Sequence, residues 1–198
     1  MKTIIFATTN QGKLVSLRKA LDRVGLQAIA IDARSLDIIE PQAESCEEVA
    51  VSKAKQAFEL LGQPVLVDDS SFHITALGGF PGVYAKYMNE TLGAEGIMSF
   101  MNGKPDRSAH FDGVLVYVDE QGTQHIFRQA PYLGRIADKI HSMDAATAWS
   151  ELHKIFIPEG SDKVLGEMSD ADFKRLESEG NKYKKFAAWM QANEVVAA

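Results

Sequence analysis

The sequence has little cysteine and no excess of positive charge. Cys46 is the one cysteine among 198 residues, which excludes an internal disulfide and a cysteine-rich metal site. The formal net charge of −6 argues against a broad surface for nucleic acid or membranes, so an anionic substrate would need a local basic cluster. Neither a signal peptide nor a long apolar run occurs. We therefore expect a cytoplasmic protein that binds neither nucleic acid nor membranes.

The rest of the composition is that of an ordinary globular protein. Hydrophobic residues make up 45% of the sequence and charged residues 24%, which is typical of a folded domain. A chain of this length can bury a substantial core. We therefore expect residues 1–198 to form a single domain, or one domain with a small lobe.

Apolar runs alternate with helical periodicity in the first third of the chain. Strand–helix–strand spacing of this kind predicts parallel pairing with right-handed crossovers. The predicted strands are Thr3–Ala7, Ala28–Ile31 and a run that begins at Val65, and the predicted helices span 14–24 and Glu47–Leu61.

The second half of the chain has a different pattern. A hairpin around Glu120–Gly122 and a further strand predict a β-rich lobe over 105–145 and a mixed sheet. The predicted elements are strands at Phe111–Val118, Thr123–Gln129 and Tyr132–Ile140, helices at Glu90–Met101 and Asp144–Lys154, a loop over Phe156–Lys163, and a last helix that Ser169 and Asp172 cap and Gly180 interrupts.

Two neighbouring acids, Asp68 and Asp69, directly follow the apolar run from Val65. If the strand continued through both, their side chains would point apart, so we expect the strand to stop or bulge there. Carboxylates at the carboxyl end of a strand are common in the ligand sites of α/β sheets. The pair is therefore either a metal-binding or general-base pair, or a cap on the following turn.

Several basic residues allow both a functional and a structural interpretation. Strand Thr3–Ala7 passes through a polar turn into a helix whose free N–H groups, with Lys13, favour an anion, although Thr9 or Asn10 could simply cap that helix. Lys53, Lys86 and Lys182 could reach a phosphate or lie on solvated faces. Because no trusted metal-ligand spacing links the five histidines, we interpret all of them as non-ligands: His73, His110, His125, His141 and His153.

Five motifs in one order resemble those of the inosine/xanthosine triphosphate pyrophosphatase (Ham1-like) family. They are Thr8–Lys13, Glu48 with Lys53 and Ala54, Asp68–Ser70, Leu77–Tyr84 and Phe156–Lys163. The resemblance implies an α/β fold with an elongated mixed sheet flanked by helices, and two lobes around a central cleft. It also implies a homodimer, a Mg²⁺ cofactor, and hydrolysis of non-standard purine nucleoside triphosphates to the monophosphate and pyrophosphate.

The resemblance also assigns roles to individual residues. Asp69 would be the general base that activates water, and Asp68 would assist or orient it. Glu40 and Asp69 would hold Mg²⁺. The residues that would bind the substrate are Thr8, Asn10, Lys13, Lys53, Ser70, Lys86, Lys163 and Lys182.

The departures from the family pattern lie mostly where the base would be recognised. The family's Phe-Gly-Tyr/Trp-Asp-Pro run is replaced by Trp149–Lys154, and its Ser-His-Arg by Gly180–Lys182. We therefore expect an altered base preference. Trp149 or Tyr183 could stack on a base, or both could be packing residues.

Three functions are compatible with the sequence. The first is a Mg²⁺-dependent nucleoside triphosphate pyrophosphatase with altered base preference. The second keeps the chemistry but uses another nucleotide or phosphoanhydride. The third is a nucleotide-binding or regulatory protein that has lost turnover.

Overall fold

The structure is a computed structural model in which residues 3–143, 150–176 and 180–194 are described. Within those ranges the chain forms an eight-stranded sheet and six α-helices. The strands are β1 (Thr3–Ala7), β2 (Ala30–Arg34), β3 (Val65–Ile74), β4 (Pro81–Gly82), β5 (Ser108–Val118), β6 (Gln124–Arg128), β7 (Tyr132–Ile136) and β8 (Phe156–Pro158). The helices are α1 (Gln11–Arg23), α2 (Cys46–Leu61), α3 (Ala85–Thr91), α4 (Gly93–Phe100), α5 (Asp170–Leu176) and α6 (Lys182–Glu194).

The sheet is mixed, as expected. Its main path runs β2-β1-β3-β5-β7-β8, with β4 paired to β3 and β6 paired to β5. β1 pairs in parallel with both β2 and β3, while β4, β6, β7 and β8 are antiparallel to their partners. The α/β class, the parallel start and the antiparallel second half are therefore confirmed.

The first two helices begin and end where local chemistry favours it. The Asn10 side chain accepts a hydrogen bond from the Lys13 backbone N–H at 3.2 Å, and Ser45 does the same for Glu48 at 3.2 Å. Each cap satisfies an N–H group that the helix itself leaves unpaired. Gly62 ends α2 in the left-handed region at φ +63°. Asn10 is thus a true N-cap.

The chain divides into two compact units. Unit 1 contains residues 3–69, 113–130 and 180–194, and unit 2 contains residues 70–112, 131–143 and 150–176 among those described. The unit 1 core is built around Phe6, Leu17, Leu21, Leu66 and Phe186. The unit 2 core is built around Phe72, Ile74, Ile97, Ile136 and Phe156. The expected β-rich lobe over 105–145 stays a prediction, since that stretch contributes residues to both units.

Several predicted boundaries in the first half of the chain are wrong. β2 begins at Ala30 rather than Ala28. The helix expected over Glu90–Met101 is instead two helices, α3 and α4, because Gly93 takes a φ of +60° between them.

Other boundaries change in the second half. β7 stops at Ile136 instead of Ile140, and Phe156–Pro158 is a strand rather than a loop because it pairs with β7. The helix expected over Asp144–Lys154 lies partly outside the described residues, and Glu151–Lys154 is a 3₁₀ helix. The break at Gly180 and the Ser169/Asp172 cap are confirmed. No described helix has both the length and the apolar character that crossing a membrane requires.

Candidate active site

The strand that carries the two acids does not stop at them. β3 continues from Val65 through Asp68 and Asp69 to Ile74, so the expectation that it ends at the acids is wrong. In a continuous strand, successive side chains point to opposite faces. The two carboxylates accordingly meet different side chains and form two different environments.

Asp68 is a fully buried carboxylate with basic partners on both oxygens. Its Oδ1 lies 2.5 Å from Lys13 Nζ, and its Oδ2 lies 2.8 Å from Lys182 Nζ. Tyr183 also donates a hydrogen bond to Oδ2 at 2.8 Å. Burial alone would raise the pKa of the Asp68 carboxyl, but Lys13 and Lys182 together hold that pKa below its usual value. Asp68 is therefore a charged group held by its neighbours.

Asp69 has fewer basic partners than Asp68. Its Oδ1 lies 3.2 Å from Lys53 Nζ, and the same nitrogen lies 2.6 Å from Glu40 Oε1. Burial and the charge of Asp68 raise the pKa of the Asp69 carboxyl, and the lysines Lys53 and Lys13 only partly oppose this. The side chain keeps 13% of its surface exposed. Asp69 is thus an accessible carboxylate with an increased affinity for a proton.

Lys53 links two carboxylates of different exposure. Its side chain is 15% exposed, while that of Glu40 is 55% exposed. The two acidic partners raise the pKa of Lys53 although burial lowers it. The interpretation of Lys53 as a merely solvated lysine is therefore wrong, because it holds Glu40 and Asp69 near a common point.

The turn between β1 and α1 completes this region of unit 1. Asn10 caps α1, and its own backbone N–H donates to Thr8 Oγ1 at 3.1 Å. Lys13, in the first turn of the helix, also donates to the Asp68 carbonyl oxygen at 3.0 Å. The positive end of α1 therefore lies beside β3 at its acids, which favours a bound anion.

Three residues of this site were missed or misjudged from sequence. Lys182 was expected to be solvated or to reach a phosphate, yet it is 3% exposed and also donates to the Asp69 carbonyl oxygen at 3.2 Å. Tyr183 was considered only for stacking or packing. Gly113 provides room, because a Cβ there would lie 2.6 Å from Lys182 Nζ. A glycine inside a strand was the available signal for this close approach.

A comparison with protein families identifies the family of this chain. The profile of the Ham1 family matches residues 4–189. The chain belongs to the Ham1 family. The resemblance drawn from the five motifs is thereby confirmed.

Ham1 relatives with curated names match almost the whole chain. The dITP/XTP pyrophosphatase of Thermococcus kodakarensis is 34% identical over 190 residues, covering 96% of this chain and 98% of that relative. The dITP/XTP pyrophosphatase of Methanopyrus kandleri is 34% identical over 190 residues, with 96% and 97% covered.

Solved Ham1 structures share the fold. The Staphylococcus aureus Ham1 protein superposes with a TM-score of 0.77 at 22% identity, covering 97% of this chain and 100% of the other. A HAM1 protein from Coxiella burnetii superposes with a TM-score of 0.74 at 21% identity, with 100% of both chains covered. At these identities the likeness shows the fold alone.

The remaining predicted residues of this Ham1 chain lie in unit 2. Ser70 follows Asp69 in β3 and is half-buried. Lys86 is exposed in the first turn of α3, and Lys163 forms an ion pair of 3.0 Å with Asp172. Their roles in binding substrate stay predictions. Trp149, considered for stacking, lies outside the described residues.

Proposed function

We propose that this chain is a hydrolase that splits nucleoside triphosphates into the monophosphate and pyrophosphate. Its curated relatives, named dITP/XTP pyrophosphatases, match nearly the full chain. The observation that supports the chemistry is the pair Asp68 and Asp69, of which Asp68 is fully buried and paired with Lys13 and Lys182, while Asp69 keeps part of its surface exposed. Paired acids whose environments push their pKa values apart mark the division of acid–base roles.

A divalent cation fits the residues beside Asp69. Glu40 and Asp69 both reach Lys53 Nζ, at 2.6 and 3.2 Å, so the two carboxylates already converge on one positive charge. Oxygen ligands of this type suit Mg²⁺. We therefore assign Mg²⁺ to Glu40 and Asp69, where it would neutralise charge on the substrate phosphates.

Asp69 is the proposed general base. Water attacks the α-phosphorus, Asp69 accepts a proton from that water, and pyrophosphate leaves with the electrons of the broken P–O bond. Phosphoryl transfer of this kind depends mainly on positioning and on charge neutralisation.

Substrate phosphates bind where the positive charge is concentrated. Lys13 and Lys53 offer ammonium groups, and Thr8, Asn10 and the N-terminus of α1 offer hydroxyl, amide and backbone N–H groups. These groups offset the repulsion between an acidic site and a polyanionic substrate.

We assign Asp68 and Lys182 a positioning role. Asp68 holds Lys13 and Lys182 by ion pairs of 2.5 and 2.8 Å, and Lys182 in turn donates to the Asp69 carbonyl. A lysine so engaged holds the β3 backbone beside the general base. It does not have to contact the purine, although the resemblance had placed it among the substrate-binding residues.

The base preference of the chain is proposed to differ from that of its relatives. The family's base-reading residues are replaced by Trp149–Lys154 and Gly180–Lys182. The homodimer and the cytoplasmic location stay predictions.

The test is pyrophosphate release from a panel of nucleotides with Mg²⁺. The panel contains ITP, dITP, XTP, modified purines and pyrimidines, and each reaction is repeated with a chelator. Release that needs Mg²⁺ and is lost in Asp69→Asn, while that variant still binds nucleotide, supports the proposal. Binding without release in the unmutated chain would instead favour the regulatory alternative.

A further inference from the structure

A second cluster of chemistry-bearing side chains lies in unit 2. It consists of His73, His110 and Asp112, whose candidate ligand atoms all lie within 4.8 Å of one another. Over residues 3–143, 150–176 and 180–194, these form the one group of three or more histidine, cysteine or acidic side chains gathered this closely. The cluster shares no residue with the site assigned to phosphates.

Strand geometry explains why the cluster forms. His73 lies on β3, while His110 and Asp112 lie on β5, which neighbours β3 in the sheet. Residues two apart in a strand share a face, so His110 and Asp112 project together. Ser71 shares a face with His73 in the same way, and its Oγ lies 2.9 Å from His73 Nε2. The ligands are remote in sequence, which is why their spacing indicated no metal site.

The distances within the cluster are too long for direct hydrogen bonds. His73 Nε2 and His110 Nε2 lie 3.7 and 3.5 Å from the same oxygen, Asp112 Oδ2. A direct N–H···O hydrogen bond spans roughly 2.7–3.2 Å. Two ligands of a tetrahedral zinc ion, with bonds of roughly 2.0–2.1 Å, lie about 3.3 Å apart. The spacing therefore suits atoms that share an ion better than atoms that bind each other.

The His73 ring is held by a backbone contact on its Nδ1 side, as metal-ligating imidazoles commonly are. The Gly79 backbone hydrogen-bonds this ring, and Nδ1 is the ring nitrogen closest to Gly79. A proton held on Nδ1 leaves the lone pair of Nε2 on the side where Ser71 Oγ and Asp112 Oδ2 lie, at 2.9 and 3.7 Å.

The two imidazoles are aligned and reachable from solvent. Their rings stack with centroids 4.8 Å apart and planes 12° apart, and the Nε2 atom of each lies within 3.7 Å of Asp112 Oδ2. The side chains of His73, His110 and Asp112 keep 24%, 33% and 35% of their surface exposed. An ion from solvent therefore reaches all three without opening a core.

We propose that His73, His110 and Asp112 bind a divalent transition metal, with Zn²⁺ as the type ion. Two imidazoles and one carboxylate favour Zn²⁺, Co²⁺ or Ni²⁺ over Mg²⁺, which prefers oxygen ligands. Three protein ligands leave a position for water or an external ligand. The ion joins β3 to β5 within unit 2.

The experiment is a calorimetric titration of the full chain with Zn²⁺ in excess Mg²⁺, which occupies oxygen-only sites. We expect a single tight Zn²⁺ site that Mg²⁺ does not displace. Since loss of a mere supporting group costs about 10–100-fold in metal affinity, His73→Ala and Asp112→Asn should each weaken Zn²⁺ binding by at least about tenfold. His110→Ala serves as a third variant, and circular dichroism verifies that each one folds.

Two matched variants complete the design. His141→Ala removes a histidine that pairs with one carboxylate, Glu167, at 2.8 Å, and Asp69→Asn alters the proposed Mg²⁺ site. Both should keep the Zn²⁺ affinity, and Zn²⁺ should raise the melting temperature of the unmutated chain but not of His73→Ala. Unchanged affinity in the folded cluster variants, or an equal loss in either matched variant, overturns the proposal. Because the readout is metal binding, failure of pyrophosphate release does not affect this test.

Discussion

The two units use one strand, β3, for opposite kinds of polar chemistry. In unit 1, Asp68 and Asp69 are paired with lysine ammonium groups at 2.5–3.2 Å. In unit 2, His73 Nε2 lies 3.7 Å from Asp112 Oδ2, which is longer than a direct hydrogen bond. The lysines that pair with Asp68 and Asp69 supply positive charge that suits a polyanion. The two imidazoles beside Asp112 instead form a set of ligands that suits a small cation. The same backbone element thus carries two proposed sites of different ligand chemistry.

Within unit 1, two neighbouring residues of β3 also differ in their contacts. Asp68 is closed off by Lys13, Lys182 and Tyr183, whereas Asp69 shares Lys53 with the exposed Glu40. The difference follows from strand alternation, which sends adjacent side chains to opposite faces. We therefore expect mutations at the two acids to affect different properties: turnover at Asp69 and stability at Asp68.

The largest effect is expected for Asp69→Asn. The amide is nearly the same size but cannot accept a proton, so pyrophosphate release should fall by about 10²–10⁴-fold. Nucleotide binding and the free energy of unfolding should change little. Steady-state kinetics and equilibrium binding on the same preparation measure both quantities. A variant that retains turnover would rule out Asp69 as the general base.

Asp68→Asn should mainly lower stability. Removing this charge leaves the buried Lys182 without its counter-ion, which costs about 3–5 kcal/mol in comparable buried pairs. Urea denaturation measures the free energy of unfolding. Asp22→Asn is a suitable control, because Asp22 pairs with Arg18 on the surface and its loss should cost less than about 1 kcal/mol. Equal losses of unfolding free energy in Asp68→Asn and Asp22→Asn would contradict a stabilising role for the buried ion pairs of Asp68.

Gly113→Ala should have a smaller effect that depends on Lys182. The new Cβ would lie 2.6 Å from Lys182 Nζ, so the ammonium must move away from Asp68, at a cost of about 1–3 kcal/mol. In a Lys182→Ala background the same substitution should cost much less. Unfolding free energies of the four proteins in this cycle provide the test, and purely additive losses would contradict the contact.

The smallest expected effect is a pH dependence of opposite sign at the two acids. The raised pKa of Asp69 makes the folded state bind more protons than the unfolded state, so this group lowers stability as the pH rises through that pKa. The lowered pKa of Asp68 stabilises the fold above the ordinary carboxyl pKa, and this stability is lost as the pH falls toward the folded-state value. Metal-free urea titrations from roughly pH 3 to 6 should show a steeper rise of stability with pH in Asp69→Asn than in the parent. A slope identical to that of the parent would contradict this assignment.

Local chemistry made much of the fold predictable. Thr3–Ala7, the Asn10 and Gly62 helix ends, the 111–129 hairpin and the break at Gly180 all depend on neighbours in sequence. The misplaced elements depended on distant partners. Phe156–Pro158 is a strand because β7 pairs with it, and β3 passes through its acids although their polarity suggested a strand end.

The candidate site was partly predictable for the same reason. The motif resemblance identified Asp68, Asp69, Lys13 and Lys53 as a group, and the fold brings these four together. Lys182 was expected on a solvated face or at a phosphate, because helical periodicity cannot show that a lysine more than a hundred residues away will be buried against Asp68.

The sequence by itself determined the family, the α/β class and the identity of the paired acids, because these depend on motifs and on short-range periodicity. Only the tertiary structure decided which lysine neutralises which acid, and that His73, His110 and Asp112 meet. The physical reason is that ion pairs and metal ligands are set by three-dimensional distances, and sheet pairing brings β3 next to β5 without any signature in the spacing of their residues.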